Sequence, residues 1–193
     1  MLLDDILPRF DVTEKHSIKV SAPPEIAFSA MKDVTLDEIS CIVPLLLFLR
    51  TIPEKMVGRK GSIPFSGKPL LSLLLDNGFI PVAEKKDREI VFGKMVPAAI
   101  GRLWKASSAR EVPLSGAAEL LAFDHPDYIR VVANLMIEPT EAGMVIVRTE
   151  SRCLALSRQA LAEFTPYWRI IRPFSGLIRR LWLKGIKGRA ERS

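Results

Sequence analysis

Cysteine and histidine are both scarce in this 193-residue chain: Cys41 and Cys153, His16 and His125. They are scattered without ligand spacing, which argues against a zinc site and for free, buried thiols in a cytosolic, cytoplasmic protein. The opening stretch, MLLDDILPRF, is acidic rather than basic, unlike a secretory leader. The longest apolar run, CIVPLLLFL, contains Pro44 and falls well short of the roughly 20 residues a membrane-spanning helix needs. A Gly-rich phosphate loop, a nucleophile elbow, paired histidines and an EF-hand loop are all missing. The sequence therefore nominates no catalytic residue, no metal ligand and no cofactor.

Apolar side chains are plentiful. Hydrophobic residues make up 48% of the chain and mean hydropathy is +0.18, although 26% of residues are charged. A chain of this length forms one domain by default and buries a real core. The apolar excess implies a large core, or apolar surface reserved for a cavity or interface. Net charge is +6, unevenly spread: residues 158–193 hold nine Lys/Arg and two Glu (+7), and residues 1–157 hold nineteen and twenty (−1). The basicity belongs to the C-terminal segment.

Residues 1–12 read as an N-terminal extension. After it Ile18 and Val20 alternate with Ser17 and Lys19, a strand with one buried face. SAPPEIAF follows, with Ser21 near a helix start, prolines at the entry and Glu25 in the first turn. TLDEISCIVPLLLFLRTIP is a second helical segment divided at Pro44, and residues 58–68 are a loop. KPLLSLLLDNGF is a short helix closed by Asn77–Gly78. FIPVAEKKDREIVFGKM is a hairpin turning near Lys86–Asp87, IGRLWKA a further strand after a break at Pro97, and SGAAELLAF a short helix capped by Ser115.

The clearest hairpin flanks PTEAG. If Glu138 faces Met144, then Ile137, Leu135, Ala133 and Val131 oppose Val145, Val147, Thr149 and Ser151. This gives one dry face. Arg130, Asn134, Arg148, Glu150 and Arg152 share the other with Val132 and Met136, and that face is expected to be solvated.

The C-terminal segment, 157–191, reads as helical but interrupted at Thr165–Pro166 and Pro173. Leu177, Ile178, Leu181, Trp182 and Ile186 form an apolar stripe, continued upstream by Leu161, Phe164, Trp168 and Ile171. Arg180, Lys184 and Lys187 lie opposite.

This order of elements, with IKVSAPPEIAF straight after the first strand, resembles the START-like or SRPBCC superfamily. VTLDEISCIVPLLLFLR, GFIPVAEKKDREIVFG, GRLW, RTESR and YWRIIRPFSGLIRR resemble a small actinobacterial-type group for which the resemblance implies no defined reaction. What the resemblance implies is a single α+β domain over 1–193 with the helix-grip fold, a curved antiparallel sheet around a long C-terminal helix. A cavity would lie between them, used by members for lipids, sterols, polyketide intermediates or plant hormones, with some members cyclases or aromatases. The chain's own pattern agrees at one point: the dry sheet face and the dry helix stripe each need a partner.

The residues placed to line such a cavity are Ile18, Val20, Phe92, Trp104, Val131, Ala133, Leu135, Val147, Thr149, Tyr167, Trp168 and Ile171. The stripe of Tyr167, Trp168 and Ile171 is more often plain core, and Trp104 reads as pocket wall or core. His16, Glu150 and Arg152 are the candidate polar anchors, although a lone histidine and a charged strand row more often serve structure.

The expectation is non-enzymatic binding or transport of an apolar or amphipathic small molecule of lipid, sterol or polyketide class. One rival is a cyclase, aromatase or dehydratase working in the same cavity. It would be favoured by a buried carboxylate or histidine close to a tyrosine or arginine. The other is a peripheral membrane or partner-binding module that touches an anionic surface through Arg180, Lys184 and Lys187. Nucleic acid is not an expected partner, because the aromatics sit on the apolar side of the segment rather than interleaved with its cations.

Overall fold

The structure, a computed structural model, describes residues 1–39, 67–98, 112–140 and 143–193. The Pro44 segment with Cys41, most of the 58–68 loop and the strand expected around Trp104 lie outside the described residues. The elements in chain order are α1 (Leu2–Ile6), β1 (Val12–Val20), α2 (Pro24–Asp33), α3 (Leu36–Ile39), α4 (Leu70–Asp76), β2 (Ile80–Lys85), β3 (Glu89–Pro97), α5 (Ala117–Ala122), β4 (Tyr128–Pro139), β5 (Val145–Ala155) and α6 (Arg158–Ala190). The strands form one antiparallel sheet in the order β1-β5-β4-β3-β2. Helix α6 packs across one face of it, which is the helix-grip arrangement.

The local signals explain these elements. Pro24 opens α2 at a position where its missing N–H costs nothing. Asn77 closes α4, and Gly78 follows at φ +82, a left-handed conformation that glycine adopts freely. The β2–β3 hairpin turns at Asp87, φ +56. Pro81, which cannot donate to a ladder, sits on the edge strand next to a bulge. The expected cap of α5 shifts by one residue: Gly116 is the N-cap, and the Ser115 N–H donates to Glu119 Oε2 at 2.7 Å.

The central hairpin keeps its expected faces but not its register. Ile137 pairs with Val147, Leu135 with Thr149, Ala133 with Ser151 and Val131 with Cys153, two residues on from the pairing expected. A two-residue slip leaves every side chain on its own side of the pleat, so patterning cannot detect it. The tighter turn extends β4 to Pro139, and the Thr140 N–H donates to Met144 O at 2.9 Å.

Helix α6 is one continuous helix through Pro166 and Pro173, a correction to the interrupted segment expected. Both prolines are exposed, as are Ala162 and Arg169, whose carbonyls lose their usual donors. Ser157 Oγ caps the start by accepting from the Ala160 N–H at 3.0 Å.

The core on the α6 side joins Val20, Phe92, Leu135, Ile137 and Val147 of the sheet to Phe28 and Met31 of α2 and to Trp182, Leu183 and Ile186 of α6. Gly185 sets how closely α6 approaches α2 and α3. A Cβ there would stand 2.8 Å from Ile39 Cγ1, 3.1 Å from Val34 Cγ2 and 3.3 Å from the Ile39 Cα. Gly185→Ala would gain up to about 1 kcal/mol of helix propensity against about 1–3 kcal/mol of overpacking. We expect a net loss on the order of 1 kcal/mol, read as a lower urea midpoint at unchanged m-value.

The far face of the sheet is not solvated as expected. Helices α1 and α5 cover it: Leu3, Leu7 and Leu120 pack on Val91, Met95 and Val132. The fold therefore has three layers. Among the described residues, no helix is long and apolar enough to cross a membrane.

Candidate functional site

The two faces of the sheet hold two polar groups of different character. On the α1 face, Arg152 is 4% exposed and every contact it makes is internal. Its Nε donates to Glu150 Oε1 at 2.7 Å, Nη1 to the carbonyls of Leu7 (2.9 Å) and Leu3 (3.3 Å), and Nη2 to Asp4 Oδ1 at 2.6 Å. Phe10 stacks on its guanidinium, 4.7 Å from ring centroid to Cζ. Glu89 accepts from the N–H groups of Leu2 (2.8 Å) and Leu3 (3.3 Å) and from Asn134 Nδ2 (2.7 Å). Asn134 Oδ1 in turn accepts from the Glu150 N–H at 2.9 Å. This network ties α1 to the sheet. The hydrogen bond from Arg152 is the chief cause that holds the Asp4 carboxyl below its ordinary range.

Glu150 and Arg152, named as anchors for a ligand between sheet and helix, therefore lie on the wrong face for that role. Strand parity already puts them there, and α1 supplies their partners. An open groove of about 250 Å³ beside them is lined by Lys15, Ser17, Asn134, Met136, Arg148 and Glu150 among others. Its charges are already paired, Lys15 with Glu150 at 3.1 Å and Arg148 with Glu138 at 2.7 Å.

The α6 face is different. Glu14 and His16 project toward α6 in phase with Ile18 and Val20, and they pair across the ladder with Ser151 and Thr149. Glu14 Oε1 and His16 Nε2 are 2.9 Å apart. Thr149 Oγ1 donates to Asn134 O at 2.8 Å and accepts from Arg179 Nη1 at 2.7 Å. Gly176 makes the helix fit here, because a Cβ would fall on Glu14 Oε1.

Glu14 is 7% exposed and Ser151 3%, yet Glu14 Oε2 and Ser151 Oγ have no hydrogen-bond partner among the described residues. Neither has the indole Nε1 of buried Trp182. Nearly all buried polar groups are paired, so an orphan carboxylate oxygen beside an orphan hydroxyl needs an explanation.

Burial along α6 shows where a molecule could reach them. Residues 164, 168, 172 and 176 follow one another at helical spacing on the sheet side. Phe164 and Gly176 are buried, Trp168 is half-buried and Arg172 is exposed. Ile171 beside them is also half-buried. Burial along this row is thus high at Phe164 and Gly176 and lower between them. The sheet beneath contributes Cys153, buried, with Val12 and Val131, partly buried, in one cluster with Phe164, Tyr167 and Trp168. Burial pushes the Cys153 thiol up to about 12, so it stays a neutral apolar wall rather than a nucleophile.

The twelve cavity candidates thus divide. Val20, Phe92, Ala133, Leu135 and Val147 are packed inside the main core, with Ile18 at its edge. Thr149 is buried and bonded to Arg179. Val131, Tyr167, Trp168 and Ile171 border the less buried stretch, His16 contacts Glu14, and Trp104 lies outside the described residues. Glu14, Ser151 and Gly176 were not singled out from sequence. The alternation that placed Ile18 and Val20 inward, continued back two and four residues, would have found His16 and Glu14 together.

No family model matches the chain, and no curated protein matches it. Solved structures with similar arrangements include protein MLL2253 from Mesorhizobium loti, 12% identical at TM-score 0.42 over 94% of this chain and 98% of that one. The hypothetical protein jhp0584 from Helicobacter pylori is 12% identical at TM-score 0.41, over 94% and 89%. The Zhui aromatase/cyclase from Streptomyces sp. R1128 is 10% identical at TM-score 0.35, over 94% of each chain. Likeness at this level carries no argument about ligand or activity.

Proposed function

We propose that the chain binds a neutral, hydroxyl-bearing apolar molecule in the seam between the sheet and α6. The observation that carries this is the pair of buried, unpartnered oxygens on Glu14 and Ser151, adjacent across the ladder, on the sheet face that also carries the apolar cluster of Val131, Cys153, Phe164, Tyr167 and Trp168. A ligand hydroxyl donating to Glu14 Oε2 and exchanging a hydrogen bond with Ser151 Oγ supplies what both lack. Its apolar body lies along Val131, Tyr167, Trp168 and Ile171.

Native mass spectrometry of the protein from its own host tests this directly, by a co-purifying small molecule that is lost on denaturation. Ser151→Ala should weaken rebinding roughly 2- to 12-fold, the value of one neutral hydrogen bond. Glu14→Ala should weaken it roughly 10- to 150-fold, the range for a charged one. Rebinding that ignores both substitutions would exclude this seat for the ligand.

A second reading has one observation behind it. A buried carboxylate 2.9 Å from an imidazole is an arrangement suited to proton transfer, as in a cyclase, aromatase or dehydratase. Recovery of the added ligand at altered mass after incubation would favour it, and recovery unchanged would favour binding alone.

A further inference from the structure

The face of α6 that turns away from the sheet is not uniformly polar. Ile170 is 70% exposed, Phe174 47% and Leu177 36%. Their spacing of four and three residues puts them in one row. The other exposed large apolar residues among those described, Met1, Phe10, Leu121 and Met144, are scattered along the chain. Single exposed apolar residues need no explanation, whereas a contiguous row does.

Cations border this row. Arg169, Arg180 and Lys184 are exposed, and helical spacing puts them along one flank of it. No acidic residue occurs between Glu163 and Glu191. An apolar stripe with a purely cationic border complements an anionic lipid surface, where the side chains enter the headgroup boundary and the cations meet phosphate and carboxylate. A protein partner would need acidic groups placed to match; a lipid surface needs only charge density.

Beyond residue 180, where the sequence suggests such a contact, the apolar side chains and Lys187 are otherwise engaged, and Lys184 alone is exposed among the cations expected there. Trp182, Leu183, Ile186 and Ala190 are in the core, and Lys187 Nζ is held by Lys19 O at 2.9 Å and by Glu191.

We infer that α6 docks the protein on an anionic membrane surface through Ile170, Phe174 and Leu177, flanked by Arg169, Arg180 and Lys184. This contact is independent of what the seam binds.

Co-sedimentation with phosphatidylcholine vesicles, with and without phosphatidylserine, tests it. Binding should require phosphatidylserine and weaken as salt rises. The double substitution Ile170→Ser, Phe174→Ser should reduce it at least tenfold. Arg169→Gln with Arg180→Gln should reduce it several-fold and flatten the salt dependence. Leu121→Ser, an exposed apolar residue on another element, should leave it unchanged. All these positions are exposed, so thermal unfolding should confirm intact folds.

Three results would overturn the inference. The first is no binding to phosphatidylserine vesicles. The second is binding that survives Ile170→Ser, Phe174→Ser. The third is a dimer in sedimentation equilibrium that this double substitution converts to monomer, which would assign the row to a second copy of the chain. Loss of small-molecule binding with vesicle binding intact would bear on the seam alone.

Discussion

Arg152→Ala is expected to lower stability by about 3–5 kcal/mol, the range for removing one partner of a buried ion pair. The side chain is 4% exposed and serves two carboxylates and two carbonyls at once. Its loss leaves Glu150 buried at 6% exposure with Lys15 as its remaining cation, and strips the Leu3 and Leu7 carbonyls of a donor. Chemical denaturation would report the loss, and Leu3 and Leu7 would come off the sheet with it.

A pH experiment separates this from generic damage. The folded-state pKa of Asp4 is depressed, so its contribution is present above the unfolded carboxyl value and is lost as pH falls through the lower folded value. Its side chain is 55% exposed, so solvent screens the effect and the contribution is small. Acid should therefore loosen α1 before the rest of the chain, and the Arg152→Ala variant should lack that component. Equal acid sensitivity of α1 protection in both proteins would show that Arg152 does not hold the helix through Asp4.

This network explains why one part of the fold was not legible in the sequence. Strand alternation places Glu150 and Arg152 away from α6 correctly, but a charged row on an outward face normally means water. What makes it a buried layer is α1, five residues long, whose Leu3, with Leu7 just past its end, offers too few apolar positions to show periodicity. Its docking depends on Glu89 and Asn134, far away in the chain, which no local pattern connects to residues 2 and 3. The same limit hid the hairpin register, because two pairings differing by two residues bury the same faces.

The grip of α6 was legible because it follows from local pattern alone. Trp182 and Ile186 fall on one helix stripe, Val147 and Leu135 on one strand face, and each surface needs a partner. The orphan oxygens at Glu14 and Ser151 were legible in part. Parity places both inward, but only three-dimensional packing shows that no side chain arrives to meet them. Gly176 is the clearest case. A helical glycine reads as a weak point, and its function, leaving room for a carboxylate on β1, depends on an element 162 residues earlier in the chain.

Trp182 is the largest side chain that α6 brings to the main core. Its ring is 3% exposed and lies 6.3 Å from that of Phe92, in the middle of the main core. Trp182→Ala should cost about 3–5 kcal/mol through lost burial and the cavity left behind. For a chain of this size each kcal/mol moves Tm by roughly 2–4 °C, so a fall of roughly 6–20 °C is expected in calorimetry. Trp182→Phe is the more informative change. The indole N–H meets no acceptor among the described residues, so replacing it removes no hydrogen bond from the free protein and relieves a desolvated donor. The remaining cost is the volume difference, about 1–2 kcal/mol, partly offset by that relief. If a bound molecule places an acceptor on Nε1, Trp182→Phe will weaken its binding by more than it weakens the fold. If binding and stability fall in proportion, the indole is plain core and the polar end of the ligand rests on Glu14 and Ser151 alone.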